Sequence, residues 1–268
     1  MKNSAMSKIY VQPVLLNNFP EFLAFAKRQH CNLEVATFTY SNVYETDWSK
    51  VLQEEEEQLS SFEGKISMHG VFQDLLIHSS DKRIADVSKQ RILENLEVAK
   101  KLKATQIVFH GSFNPLIRDE HYEKEWIDRN ASFWSEVLRK YEIKVLMENT
   151  WEQTPDLFRH LLDQLNSSRF KICLDIGHVN VYSKTSIKEW FASLRQEISY
   201  IHMSDNMGEK DQHLQIGQGK INWQEFSRLV AEYTTNPEIV LELVTLEKTK
   251  RSIKALEENK IYPFDNTP

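Results

Sequence analysis

The sequence predicts an α/β fold, a closed (β/α)8 barrel of the TIM type, on three observations. Eight short apolar segments alternate with longer polar segments of helical apolar spacing. No Pro- or Gly-rich linker interrupts the alternation, so residues 1–268 are expected to form one domain. The length of 268 residues suits such a barrel, which commonly needs about 250. Closure is expected because short crossovers force parallel pairing and a closed ring exposes no strand edge.

The eight strand candidates are rich in β-branched and aliphatic residues. They are 8–15, 32–38, 66–70, 106–110, 144–148, 171–175, 198–202 and 239–243.

Helical signals fill the stretches between these strands. Apolar residues recur at helical spacing between positions 92 and 102. Asn222 is placed to cap a helix that begins at Trp223, with Glu225 completing a capping box. Pro155 suits a first helical turn, where a missing N–H costs nothing.

Composition indicates which compartment and which classes of partner are expected. The chain has 33 Lys and Arg against 39 Asp and Glu, which gives no whole-molecule attraction to nucleic acid and leaves only a local basic groove open. Two cysteines, Cys31 and Cys173, make no disulfide framework and suit a reducing compartment. The N-terminal MKNSAMSK lacks the apolar stretch of a signal peptide. These features predict a cytoplasmic protein without a membrane segment, and they leave the oligomeric state open.

Nine potential metal ligands lie where apolar segments end. They are His69, His110, Glu148, Asp175, His178, His202, Asp211, His213 and Glu242. Imidazole and carboxylate groups bind borderline divalent ions such as Zn²⁺ or Mn²⁺. In parallel barrels the chemistry lies at the carboxyl ends of the strands, and six successive segments here end in His, Asp or Glu. One such residue alone is more often structural, but the set predicts a divalent metal site.

Other polar features are given structural interpretations. Glu34, inside the second strand, is interpreted as a charge paired within the barrel and not as a catalytic base. The segment Gly217-Gln218-Gly219 is interpreted as a tight turn, with a phosphate-binding loop as the alternative. Four further histidines are interpreted as surface or packing residues, namely His30, His78, His121 and His160.

The ligand-bearing motifs resemble those of the xylose-isomerase-like barrel superfamily over nearly the whole chain. The motifs are Met68-His69-Gly70, Phe109-His110-Gly111, Met147-Glu148-Asn149-Thr150, Leu174-Asp175-Ile176-Gly177-His178, His202-Met203-Ser204-Asp205-Asn206 and Asp211-Gln212-His213-Leu214. The run from Gly217 to Trp223 strengthens the resemblance. Two branches share the ligand set: sugar or sugar-phosphate isomerases and epimerases, and the endonuclease-IV-like enzymes of AP endonuclease family 2.

For the sugar branch, the resemblance implies one metal ion held by four residues, which are Glu148, Asp175, His202 and Glu242. Glu148 and Glu242 would exchange protons with the carbon beside the sugar's carbonyl, while the cation stabilises the developing negative oxygen. Three aromatic residues that follow ligand-bearing strands are predicted to contact the sugar, with ordinary loop packing as the alternative. They are Phe113, Trp151 and Tyr182.

For the nuclease branch, the resemblance implies that all nine ligands hold three zinc ions around a phosphodiester at an abasic DNA site, with Glu148 bridging two of them. The cofactor is therefore expected to be one to three divalent ions. The loop Thr39–Glu45 contains no Lys or Arg, and Gly70–Leu75 departs from the repair enzymes, so sugar chemistry is favoured. A non-catalytic descendant would have been favoured by a lost ligand, and the sequence has lost none.

Overall fold

The computed structural model describes residues 2–13 and 18–265, and it confirms the predicted barrel. In these residues eight parallel strands pair in chain order, and the eighth pairs with the first to close the ring. The strands are β1 (Ile9–Val11), β2 (Asn32–Val35), β3 (Ile66–His69), β4 (Gln106–His110), β5 (Lys144–Glu148), β6 (Phe170–Asp175), β7 (Ile198–Met203) and β8 (Glu238–Leu241). Each overlaps a predicted segment.

Helices connect successive strands, as short crossovers between parallel strands require. The α-helices of the described residues are α1 (Lys2–Met6), α2 (Phe19–Gln29), α3 (Trp48–Leu59), α4 (Lys82–Lys101), α5 (Glu120–Lys140), α6 (Asp156–Leu165), α7 (Ile176–Tyr182), α8 (Ile187–Leu194), α9 (Trp223–Tyr233) and α10 (Leu246–Glu258). No helix in these residues is long and apolar enough to cross a membrane.

Several strands end earlier than their apolar pattern predicts. Positions 14 and 15 of the first predicted strand lie outside the described residues. Strand β2 ends at Val35 because the chain turns away from the sheet, where the Thr39 N–H donates to the Ala36 carbonyl at 3.2 Å. Strand β8 ends at Leu241, so Glu242 lies just beyond it. Apolar residues thus continue past the last ladder pairing, because the barrel mouth is still buried there.

The predicted helix signals are partly confirmed. The Asn222 side chain caps α9 by accepting from the Glu225 N–H at 3.1 Å. The Glu225 carboxylate returns no bond to Asn222, so the expected capping box is half formed. Pro155 is the N-cap of α6, one position before the first turn.

Two clusters of buried apolar side chains stabilise the barrel. The interior is filled by Tyr10, Val108, Leu146, Cys173, Tyr200 and Val240. A larger cluster joins the sheet to the helices. At the amino-terminal end of the barrel, the Tyr10 hydroxyl donates to Glu238 at 3.0 Å, and Lys65 donates to the same carboxylate at 2.5 Å. This network lies at the end of the barrel opposite the ligands that end the strands.

Candidate metal centre

The strands deliver the predicted ligands to one mouth. His69, His110, Glu148 and Asp175 are the last residues of β3, β4, β5 and β6. Neighbouring strands hold them in register, since His110 pairs with Glu148 and Asp175 pairs with His202 of β7. The carboxyl ends of adjacent parallel strands therefore place these side chains within reach of one another.

One four-residue cluster consists of Glu148, Asp175, His202 and Glu242, whose ligand atoms all lie within 4.8 Å of one another, and His69 forms a second such group with Glu148 and His202. His202 Nδ1 is 3.2 Å from Glu242 Oε2 and 3.5 Å from Glu148 Oε1. Donors held about 2.0–2.2 Å from a shared ion lie roughly 3–4 Å apart, so this spacing suits one divalent cation.

Two further groups extend from this cluster. Glu148 Oε2 faces His110 Nε2 at 3.0 Å and His69 Nε2 at 3.3 Å. Asp211 Oδ2 faces His213 Nε2 at 2.9 Å and His178 Nε2 at 3.4 Å. One oxygen of Glu148 therefore faces the four-residue cluster and the other faces His69 and His110. Asp211 lies between His178 and His213, which form the third group with it.

Unpartnered buried atoms test whether an ion fits. Within the described residues, the buried nitrogen and oxygen atoms without a hydrogen bond include His110 Nε2, Glu148 Oε2, His202 Nδ1, Asp211 Oδ1 and Glu242 Oε2. Buried polar groups almost always have a partner, and these five atoms belong to the predicted ligands. A cation bound among them would supply that partner.

In four of the five histidines, the ring nitrogen that faces away from the centre makes a contact that orients the ring. The Nδ1 atoms of His69, His178 and His213 contact the carbonyls of Gly70, Asn149 and Glu242 at 2.8–2.9 Å, and His110 Nδ1 contacts the Thr150 hydroxyl at 3.0 Å. Each contact leaves Nε2 toward the centre, which is how protein groups commonly fix a metal-binding imidazole. Thr150 and Asn149 were not predicted as orienting residues, because sequence spacing does not show which atom a strand-end histidine meets.

Two backbone hydrogen bonds hold the loop that places Asp211 and His213 at the barrel mouth. Asp205 and Leu214 exchange both backbone hydrogen bonds, at 2.9 and 2.8 Å, and so hold the ends of the segment that carries Asp211 and His213. The Asp205 carboxylate accepts from the Gly217 N–H at 2.9 Å and from the Trp223 indole at 3.0 Å. A Cβ at Gly219 would lie 2.1 Å from that carboxylate. The glycine segment is therefore a tight turn folded around Asp205, as the structural interpretation predicted.

The ionisable groups at the site strongly shift one another's pKa values. Although burial opposes ionisation, the surrounding histidines lower the pKa of Glu148 well below its usual value and that of Glu242 to about 2. Burial raises the pKa of Asp175 to about 7. Although burial disfavours charged imidazoles, nearby carboxylates raise the pKa of His178 and His202 well above the usual value and that of His213 to about 10. Without an ion, His178, His202 and His213 therefore hold protons that offset the carboxylates, whereas burial lowers the pKa of His110.

These shifts predict that metal affinity rises with pH. At neutral pH an incoming ion must displace protons from raised groups such as Asp175 and His202, and rising pH removes those competing protons. We expect the apparent Kd to fall about tenfold per pH unit from about pH 6 to 8, with release of at least one proton. Calorimetry in two buffers of different ionisation heat measures both quantities. A pH-independent Kd would contradict the assignment.

Glu34 lies beneath the centre and is fully buried. Its carboxylate accepts from Gln12 Nε2 at 2.9 Å and from the Ser67 hydroxyl at 3.1 Å. His202 Nε2 lies 3.1 Å from Glu34 Oε1, an ion-pair distance without the alignment of a formed hydrogen bond. The predicted charge pairing within the barrel is thus made to a metal-site histidine.

We expect Glu34→Gln to weaken metal affinity about 10–100-fold, because a partner that orients a ligating histidine typically contributes that much. Titration of the apo protein with zinc or manganese measures the effect. Glu55→Gln is the matched control, since Glu55 is also buried but bonds Thr37 outside the centre. Equal affinities for the Glu34 variant and the control would remove this role.

A cavity of about 170 Å³ opens above the ligands. Seven of the nine predicted ligands line it, while Asp175 and His202 lie buried below. Its apolar wall includes Tyr40 and Phe72, whose rings meet edge to face at 5.6 Å. Sequence reasoning did not select these two aromatics, although both follow strand ends.

The three predicted sugar contacts lie elsewhere on this face and do not line that cavity. Phe113 is buried, stacks on Tyr122 and lines a separate cavity of about 480 Å³. Trp151 is 49% exposed, and the Tyr182 ring lies 6.0 Å from that of His178. Their contact with substrate stays a prediction.

Comparison with known proteins sets this geometry in a family. Residues 32–259 match the family model described as a xylose isomerase-like TIM barrel. The chain belongs to this family.

Proteins similar to this chain bear names of more than one kind. The chain is 30% identical over 174 residues to an uncharacterized protein, MJ1614, of Methanocaldococcus jannaschii, covering 64% of this chain and 68% of that protein. It is 25% identical over 169 residues to a probable endonuclease 4 of Persephonella marina, covering 55% and 59%. A crystal structure of a D-tagatose 3-epimerase-like protein shares the fold, with a TM-score of 0.77, 24% identity and coverage of 93% and 96%.

Proposed function

We propose that the protein is a metal-dependent sugar or sugar-phosphate isomerase or epimerase that moves a proton at the carbon beside a carbonyl. One observation carries the proposal: two carboxylates, Glu148 and Glu242, meet His202 within one four-residue cluster under the mouth cavity. They come from β5 and from the end of β8, three strands apart around the ring. A substrate held between them would meet one carboxylate on each side.

Each residue of the cluster has a distinct task in this proposal. Asp175 and His202 would hold a zinc or manganese ion together with the two glutamates. A bound divalent cation stabilises negative charge on the substrate's carbonyl oxygen. One ionised glutamate removes a proton from the adjacent carbon. The other glutamate, protonated beforehand by solvent, delivers its proton to the opposite face of that carbon, which inverts it, or to the former carbonyl carbon, which moves the carbonyl. The lowered pKa values of Glu148 and Glu242 provide an ionised base at neutral pH, so the delivered proton comes from solvent.

The xylose isomerase-like family and the shared fold of the D-tagatose 3-epimerase-like protein support this proposal. The fully buried floor supports it as well, because exclusion of water protects an intermediate of this kind from side reactions.

A second candidate is hydrolysis of DNA at abasic sites. It is favoured by the two outer groups, in which His69 and His110 face Glu148 while His178 and His213 face Asp211. These residues exceed what one ion needs, and the probable endonuclease 4 is a relative. In this alternative three zinc ions would be held, and DNA would be the partner.

The two candidates are separated by product analysis with metal-loaded protein. A panel of ketoses and ketose phosphates is followed by NMR for interconversion, and a duplex with one abasic site is followed for nicking. The proposal expects interconversion of at least one sugar and an intact duplex. Nicking without sugar turnover would reverse the assignment.

A further inference from the structure

Charge at the mouth cavity bears on the kind of sugar that can bind. The cavity is lined by Gln12, Ala36, Thr39, Tyr40, His69, Phe72, His110, Glu148, His178, Asp211, His213, Glu242 and Val244. Neither lysine nor arginine occurs among these lining residues, whereas three carboxylates do. Resting on the proposed function, we infer that the substrate is an uncharged sugar and not a sugar phosphate.

The metal does not reverse this balance when one ion is bound. Glu148, Asp175 and Glu242 carry three negative charges against two positive ones on a divalent ion, so the cluster stays negative. Asp211 lies 2.9 Å from His213 and 3.4 Å from His178, so a carboxylate already faces both imidazoles of the third group. A phosphate dianion entering this cavity would meet like charge in a partly desolvated site, where charges interact strongly.

The neighbouring groups that could receive a phosphate are already engaged. The Gly217 N–H donates to the Asp205 carboxylate at 2.9 Å, as does the Ile221 N–H at 3.3 Å, so an internal anion fills this turn. The Lys248 ammonium donates to the His213 carbonyl at 3.2 Å. The glycine segment, for which phosphate binding was the alternative, and the Lys248 side chain therefore both hold the loop.

The apolar wall of the mouth cavity suits the carbon-bound hydrogens of a sugar. The Tyr40 ring is 46% exposed at the rim and meets Phe72, whose ring centre lies 5.0 Å from that of His110. Ala36 and Val244 add apolar surface beside them. Aromatic rings pack on apolar faces of this kind, such as the C–H face of a sugar. The cavity volume of about 170 Å³ is below the roughly 300–1,000 Å³ of sites for larger ligands, which favours a monosaccharide.

Matched pairs test the inference. Protein loaded with one equivalent of manganese is titrated by calorimetry with each of several ketoses and with the terminal monophosphate of the same ketose. Proton exchange with solvent is recorded in the same samples. We expect at least one free ketose to bind at least about tenfold more tightly than its phosphate, because the cavity lining offers the phosphate no lysine or arginine.

Each outcome decides a separate question. Tighter binding of the free ketose together with exchange supports both the inference and the proposed function. Tighter binding without exchange supports the inference but overturns the isomerase assignment. Tighter binding of the phosphate, equal binding of the two, or no binding of either overturns the inference.

A variant pair tests the wall independently of the metal. Tyr40→Ala is expected to weaken binding of the free ketose about 2- to 10-fold, whereas Tyr40→Phe keeps the ring and most of the affinity. Manganese content is measured in both variants, so that a change in metal occupancy is not mistaken for a change in sugar binding. Unchanged affinity in Tyr40→Ala would show that the wall does not receive the sugar.

Discussion

Glu148→Gln and Glu242→Gln are each expected to lower sugar turnover by about 10²–10⁴-fold, the usual contribution of a general acid or base. Glutamine keeps the size and one oxygen of the side chain but cannot take a proton. Both carboxylates have lowered pKa values because nearby histidines outweigh burial, so the native protein presents two ionised bases at neutral pH. Steady-state rates of ketose interconversion measure the loss.

Controls separate proton transfer from metal retention. Metal content is measured for each variant, and rates are compared only at full occupancy, because both glutamates belong to the four-residue cluster. Glu152→Gln is the matched substitution: Glu152 is also buried, burial raises its pKa to about 7, and it accepts from the Thr150 N–H outside that cluster. We expect Glu152→Gln to keep most of the turnover. A metal-replete Glu148 variant with native turnover would contradict the role given to Glu148.

Removal of a ligand from the four-residue cluster is expected to have the second large effect, a loss of metal affinity. Asp175→Ala or His202→Ala should weaken metal binding by more than about 100-fold, since even residues that only orient a ligand contribute 10- to 100-fold. His178→Ala is the comparison, because His178 faces Asp211 in the third group. In the one-ion account this variant keeps its metal. Elemental analysis after dialysis and calorimetric titration give stoichiometry and affinity.

The same experiment measures how many ions the centre holds. Saturation at one equivalent, lost in the Asp175 variant and kept in the His178 variant, supports sugar chemistry. Saturation at three equivalents, reduced to two by His178→Ala, would favour the nuclease. It would also make the mouth positively charged and so contradict the inference of an uncharged substrate.

The barrel and the ligands on its strands were predictable from sequence for a physical reason. A parallel strand buried on both faces is a continuous apolar run, and its carboxyl end is where a polar side chain can reach the mouth. His69, His110, Glu148 and Asp175 therefore stand out as polar residues that end such runs. Adjacent register then brings them together without any further information.

The loop residues were harder to place because distant contacts position them. His213 reaches Asp211 only because the Asp205–Leu214 bridge holds the loop and the His213 ring bonds the Glu242 carbonyl. No local pattern encodes those contacts. Phe113 and Tyr40 both follow a strand, yet Phe113 packs against Tyr122 while Tyr40 stands at the cavity rim. Sequence position alone does not distinguish these two environments.

Site-specific deuterium incorporation tests the central claim most directly. Metal-loaded protein is incubated in D2O with an unphosphorylated ketose, and NMR locates any deuterium in the recovered sugar. The account predicts deuterium at a carbon beside the carbonyl, with incorporation greatly reduced in Glu148→Gln and Glu242→Gln at equal metal content. A panel of ketoses that gains no deuterium, while a duplex with an abasic site is nicked in a Glu148-dependent manner, would contradict it.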